Sequence, residues 1–130
     1  MKKPSMSEKL VIEILQQINE ALQKIHRRFD KINSPDDFLD SEYGMDMLDA
    51  ICMQLISIGE SVKNIDKITN QELLSNYPEI DWRGIKGIRD FVSHHYFDID
   101  AEEIFNIGEN YLKPLMETVN KMINDLQNNL

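Results

Sequence analysis

Eight consecutive residues, Arg89-Asp90-Phe91-Val92-Ser93-His94-His95-Tyr96, put a permanent cation, two imidazoles and a phenol on one short stretch of chain. An arginine guanidinium presents a planar fork of donors that matches two oxygens of a phosphate. A histidine titrates near neutral pH and can move a proton on or off a ribose hydroxyl. Together they suit RNA cleavage without a metal. The 2′-hydroxyl attacks phosphorus, histidine handles the proton, and arginine stabilises the charged phosphorane. The need for a 2′-hydroxyl would make DNA a poor substrate. Arg83 and Lys86 stand just before the cluster, so the stretch from Trp82 to Phe97 holds three basic residues against one acid. The whole chain has 14 basic and 23 acidic residues and a net charge of −9. A small basic patch on an acidic body argues against a protein that coats nucleic acid or an anionic membrane.

The same residues have a plain structural reading. A histidine in the last turn of a helix often satisfies terminal carbonyls. Arg89 would then pair with Asp90 or a neighbouring acid, and Tyr96 would be a core aromatic. Geometry also restrains the chemical reading. On an ideal helix Arg89 and Tyr96 share a face, but His94 stands about 140° from Arg89. The pair meets only if the helix unwinds near Ser93 or a second chain completes the site. A symmetric dimer would bring two copies of the cluster into one cleft.

The elements that must position the cluster are helical. Val11, Ile14, Leu15, Ile18, Leu22, Ile25 and Phe29 recur at three- and four-residue steps and predict a helix over 8–30, with Ser7 as its cap. Ser34-Pro35-Asp36-Asp37 reads as the start of one short helical turn, capped by the serine with proline first inside. Leu48, Ile51, Cys52, Leu55, Ile58, Val62 and Ile65 form a second long stripe, and Met45, Met47, Met53 and Ile56 lie off it. A helix apolar on more than one face is central in the core or buried against a second chain; the second is expected here. Thr69-Asn70-Gln71-Glu72 has capping-box spacing. Asp81 caps a helix through Trp82, Ile85, Ile88, Phe91 and Val92, with Gly84 and Gly87 inside it to admit a neighbouring backbone. A last helix follows the Asp100–Glu103 capping box, with a kink near 110–114 from Pro114. The 130 residues therefore read as one domain, 1–130, an all-α bundle of about four main helices plus short turns.

Other chemistries find no footing. There is no Gly-rich phosphate loop, nucleophile elbow or His-Glu-x-x-His, and no Glu-x-x-His pair for a di-iron bundle, so neither a metal nor another cofactor is expected. The one cysteine, Cys52, lies in an apolar stripe and reads as a buried, inert thiol. His26, beside Arg27 and Arg28, reads as a solvated face, and Trp82, Phe91 and Phe97 as core. No apolar run is long enough to span a membrane, and Glu13 interrupts the stretch a signal peptide would need, so a cytoplasmic protein is expected.

At Arg89-x4-His94-x-Tyr96 the sequence resembles the HepT-like toxins of the HEPN superfamily, whose motif is Arg-x4-His-x-Tyr. The flanks agree: Ile58-Gly59-Glu60, then Tyr77-Pro78-Glu79-Ile80-Asp81-Trp82, then Tyr96-Phe97-Asp98-Ile99-Asp100. The resemblance covers nearly the whole chain and implies a HEPN-like helical bundle that dimerises, with an RNase site at the dimer interface. Arg89 and His94 would be the catalytic pair, with Asp90 as a polar helper. It also implies a partner, an MntA-like minimal nucleotidyltransferase antitoxin that adds AMP to Tyr96. Bulk and negative charge would then stand in the cleft that admits an RNA phosphate. His95 fills the variable position, where a second imidazole could share the proton work.

The expectation is a homodimeric toxin that cleaves RNA, with Arg83 and Lys86 as further RNA contacts. The alternative is a non-catalytic docking subunit of a nucleotidyltransferase with the same fold. A purely structural helical dimer leaves the clustering of Arg89, His94 and Tyr96 without a reason.

Overall fold

A computed structural model describes residues 4–94 and 100–128, and of His94 the backbone only. The architecture is all-α, 82% helical, with no strand among the described residues. Eight helices are seen there: α1 (Met6–Arg28), α2 (Asp36–Leu39), α3 (Glu42–Thr69), α4 (Glu72–Ser75), α5 (Trp82–Lys86), α6 (Ile88–His94), α7 (Ala101–Asn110) and α8 (Leu112–Asn128).

The predicted stripes are the core. From α1, Val11, Ile14, Leu15, Ile18, Leu22 and Ile25 are buried; they meet Leu48, Ile51, Leu55, Ile58, Val62 and Ile65 of α3. From α8, Leu115, Val119 and Met122 close the bundle against α1. Helix α3 is the hub: α1, α2, α4, α5, α6 and α7 all pack on it. Among the described residues no helix is long and apolar enough to cross a membrane.

Helix ends correct the sequence reading in several places. The cap of α1 is Ser5, not Ser7. Its hydroxyl accepts from Glu8 N at 3.1 Å while the Glu8 carboxylate accepts from Ser5 N at 3.2 Å, a reciprocal box that only the earlier serine can make. At α2 the serine does not cap. Pro35 takes the cap position without a side-chain bond, and Asp37 Oδ2 instead accepts from Asn33 N at 2.7 Å. That short turn still buries Phe38, edge-on to Phe29 with ring centroids 5.7 Å apart. Gly108 lets α7 close over the same ring, since a Cβ there would meet Phe29 at 2.5 Å.

Thr69 does not open α4 as a capping box. Asn70 adopts the left-handed conformation (φ 53°) and ends α3, Gln71 follows in the same region (φ 64°), and the Thr69 hydroxyl turns back to Ile65 O. Asparagine tolerates that conformation better than most residues, so termination of α3 prevails over initiation of α4. Asp100 caps α7 as expected, accepting from Glu103 N at 3.1 Å. The expected kink before Pro114 is a full break at Tyr111, which separates α7 from α8. Proline cannot donate to the carbonyl four residues earlier, and its ring crowds that turn.

Candidate functional site

The described part of the motif, Arg89 to the His94 backbone, stands on a helix broken once and pinned at its start. Asp81 caps α5, accepting from Gly84 N at 3.0 Å. Trp82 is buried and its indole N–H donates to Tyr77 O at 2.9 Å; the Tyr77 hydroxyl in turn donates to Asp125 Oδ2 of α8 at 2.7 Å. Burial, then the bond to Asp125, pushes the Tyr77 phenol up to about 12. The segment expected as one helix from Asp81 is two, α5 and α6, with Gly87 between them. Backbone bonds from Gly87 N to Arg83 O and from Phe91 N to Gly87 O carry the ladder across the break.

The glycine that admits a neighbour is also a different one. A Cβ at Gly84 would meet only its own cap, Asp81, and one at Gly87 only ordinary contacts at 3.6 Å. The close approach is at Gly59 of α3, where a Cβ would stand 2.8 Å from the Ile85 carbonyl oxygen. Helix α3 therefore sets the height of the α5–α6 pair through the glycine of Ile58-Gly59-Glu60.

Two acids of α3 then take up two of the three cations. Glu60 Oε1 stands 3.2 Å from Arg89 Nη1 and 3.6 Å from Lys63 Nζ. Asp66, only 8% exposed, pairs with Lys86. Arg83 is exposed on α5. Arg89 keeps 59% of its side chain in solvent despite its partner. The sequence suggests a neighbouring acid for Arg89 but cannot say which, because Glu60 lies 29 residues earlier. No spacing rule joins residues that far apart. Asp90 is exposed beside Arg89 and has an interaction of its own.

Helix α6 remains helical through Ser93 to His94, so the backbone does not unwind between the two motif positions. They stand about 140° apart around one axis. Assignments to the His94 side chain, His95 and Tyr96 lie outside the described residues. Among the described residues no group of three or more His, Cys, Asp or Glu could hold a metal ion. Cys52 is buried as expected, and burial, with Asp49 nearby, pushes its thiol up to about 11. His26 is exposed as expected, while its neighbour Arg28 is half-buried and its Nη1 has no hydrogen-bond partner among the described residues.

One more surface adjoins the site. Met45 and Met53 of α3 are 53% and 62% exposed, while Met47 and Ile56 pack partly against the core. At about 100° per residue, Met45, Met53, Ile56 and Glu60 fall within about 80° of one another around α3. The face, apolar apart from exposed Asp49, thus leads along the helix to the carboxylate that holds Arg89.

A Methanocaldococcus jannaschii protein named "Putative RNase MJ0127" is 32% identical over 78 residues, 60% of this chain and 61% of that protein. A second from the same organism, "Putative RNase MJ0125", is 29% identical over 76 residues, 58% of this chain and 60% of its own length. The match thus spans about three fifths of these curated relatives. No solved structure matches the chain. The family model described as "Ribonuclease HepT-like" matches residues 18–122, from the middle of α1 to the end of the α8 core, and the chain belongs to the HepT-like ribonuclease family.

Proposed function

We propose that the protein is a metal-independent endoribonuclease of the HEPN type, acting as a homodimer in the cytoplasm and serving as the toxin of a toxin–antitoxin pair. The observation that carries this reading is the state of Arg89. It is more than half exposed, held on α6 by an acid of α3, five residues before His94, at the edge of an apolar face. Because the Arg89 and His94 positions diverge by about 140° on one helix, a second chain supplies the missing partner at each centre. Met45, Met53 and Ile56 are the surface that chain would cover.

In the reaction, the ribose 2′-oxygen bonds to phosphorus and the P–O5′ bond breaks, leaving a 2′,3′-cyclic phosphate and a 5′-hydroxyl. His94 takes the 2′-hydroxyl proton or returns one to O5′, and Arg89 stabilises the phosphorane. Asp90 and His95 support that centre. Arg83 is presented to a passing RNA backbone, whereas the Lys86 ammonium is engaged by Asp66 and contributes charge at closer range. An MntA-like nucleotidyltransferase antitoxin silences the centre by adding AMP to Tyr96, whose new negative charge repels the substrate phosphate.

The test is cleavage of RNA in EDTA by purified protein, beside the all-2′-deoxy version of the same sequence. Cleavage of the RNA alone, with cyclic phosphate ends, supports the reading; cleavage abolished by EDTA refutes metal independence. The internal neutralisation of Arg89 and Lys86 favours a second reading, a docking subunit without catalysis. That reading predicts an inactive wild type that binds its nucleotidyltransferase equally well as His94→Ala.

A further inference from the structure

Resting on the ribonuclease reading above, we propose that Glu60 is a positioning residue: its carboxylate fixes one edge of the Arg89 guanidinium and leaves the other edge for the scissile phosphate. A guanidinium carries five N–H donors arranged as two forks that share Nη2. Glu60 engages Nη1 through a single oxygen at 3.2 Å. Among the described residues no acid is seen at the Nε–Nη2 fork, which can grip two phosphate oxygens side by side.

Three features make Glu60 suited to this work. It is anchored, because the preceding residue, Gly59, packs so close to α5 that a Cβ there would stand 2.8 Å from the Ile85 carbonyl oxygen, which sets the spacing between α3 and α5, the helix just before α6. A second tie between the same elements, Asp66 to Lys86, stops one from sliding past the other. Glu60 is also half neutralised, because the oxygen that faces Arg89 lies 3.6 Å from Lys63 as well. Two cations share one carboxylate, so Glu60 does not by itself cancel the charge of Arg89.

The exposure of the pair decides between a brace and a lock. Glu60 and Arg89 retain 43% and 59% exposure, and a solvated one-oxygen contact is too weak to exclude a phosphate that offers two. It is enough to select among the many rotamers of a long side chain. Without it, Arg89 would still attract RNA but would reach the reacting phosphate in the correct orientation less often.

The experiment compares kcat and KM for a short RNA among wild type, Glu60→Ala and Glu60→Gln, with a thermal melt of each. The proposal expects Glu60→Ala to lower kcat by about tenfold. KM should stay level or fall, because a negative charge has left the neighbourhood of the phosphate. Glu60→Gln, which keeps an acceptor oxygen at the same reach, should recover most of kcat. Melting temperatures should agree within a few degrees. A rise in kcat for Glu60→Ala would make Glu60 a lock and overturn the proposal. So would an unchanged kcat, or equal losses in both variants with a lowered melting temperature. An active wild type beside an unchanged Glu60→Ala defeats this proposal alone, whereas a wild type that cleaves no RNA defeats the ribonuclease reading and this proposal with it.

Discussion

Substituting alanine at Gly59 and at Gly87, separately, should shift stability in opposite directions. Both glycines adjoin the site helix, and helix propensity alone favours alanine at each by up to about 1 kcal/mol. At Gly59 the new Cβ would stand 2.8 Å from the Ile85 carbonyl oxygen, closer than any ordinary carbon–oxygen contact. That oxygen belongs to backbone and cannot swing aside, so α5 has to retreat from α3. Overpacking of this kind costs about 1–3 kcal/mol, which leaves a net loss of about 1 kcal/mol after the propensity gain. At Gly87 the same methyl would meet its nearest atoms at 3.6 Å, and φ is −82°, a conformation alanine adopts freely. There the smaller entropy of the unfolded chain should stabilise by about 0.4–1 kcal/mol. Urea unfolding reads both. With a slope of about 1.5 kcal/mol/M, Gly59→Ala should lower the midpoint by about 0.7 M and Gly87→Ala raise it by about 0.3–0.7 M. A Gly59→Ala variant as stable as wild type, or both variants moving together, would refute the close contact between α3 and α5.

Three further outcomes follow from the same geometry. Lys86→Met leaves the Asp66 carboxylate, 8% exposed, without its counter-charge and should cost about 2–3 kcal/mol, whereas Glu60→Gln, at a solvated pair, should stay within about 0.5 kcal/mol; equal losses in chemical denaturation would contradict the different burial of the two ties. Stability should fall as pH rises from 9 toward 12. The folded state holds the Cys52 and Tyr77 protons, with values raised to about 11 and about 12, while the unfolded chain has already released them. Tyr77→Phe should flatten the upper part of that decline, and an unaltered slope would count against the Tyr77 phenol, raised first by burial and then by its bond to Asp125, as its source. Met53→Asp should convert a dimer to monomer in sedimentation and remove RNase activity together, leaving helicity unchanged; an active monomer would separate the apolar face of α3 from the catalytic centre.

The helices were legible because burial imposes a period. The stripes of α1 and α3 follow 3.6-residue spacing almost without exception, and every position from Val11 to Ile25 expected inside is buried. The ends were less legible, since neighbouring polar residues compete for the same backbone donors. Ser5-Met6-Ser7-Glu8 offers two serines, and only the one three residues before Glu8 completes the box. Thr69-Asn70-Gln71-Glu72 encodes both a helix start and a left-handed stop, and the stop prevails at Asn70. The chemical motif could be read directly because its residues are consecutive. The partners of its cations could not: Glu60 and Asp66 reach Arg89 and Lys86 only after α3 folds against α5 and α6. Gly59 was visible as a residue but not as a contact, for the same reason.

The most direct test of a centre shared between two chains is complementation. Arg89→Ala and His94→Ala chains are each assayed alone on RNA in EDTA, then unfolded together, refolded as a mixture and assayed again. A site that takes arginine from one protomer and histidine from its partner leaves both single variants inactive. In the mixture half of the dimers carry one intact centre of two, so about a quarter of wild-type activity should return. A mixture as inactive as its components, beside an active wild type, would contradict the shared centre and place Arg89 and His94 in the service of one chain.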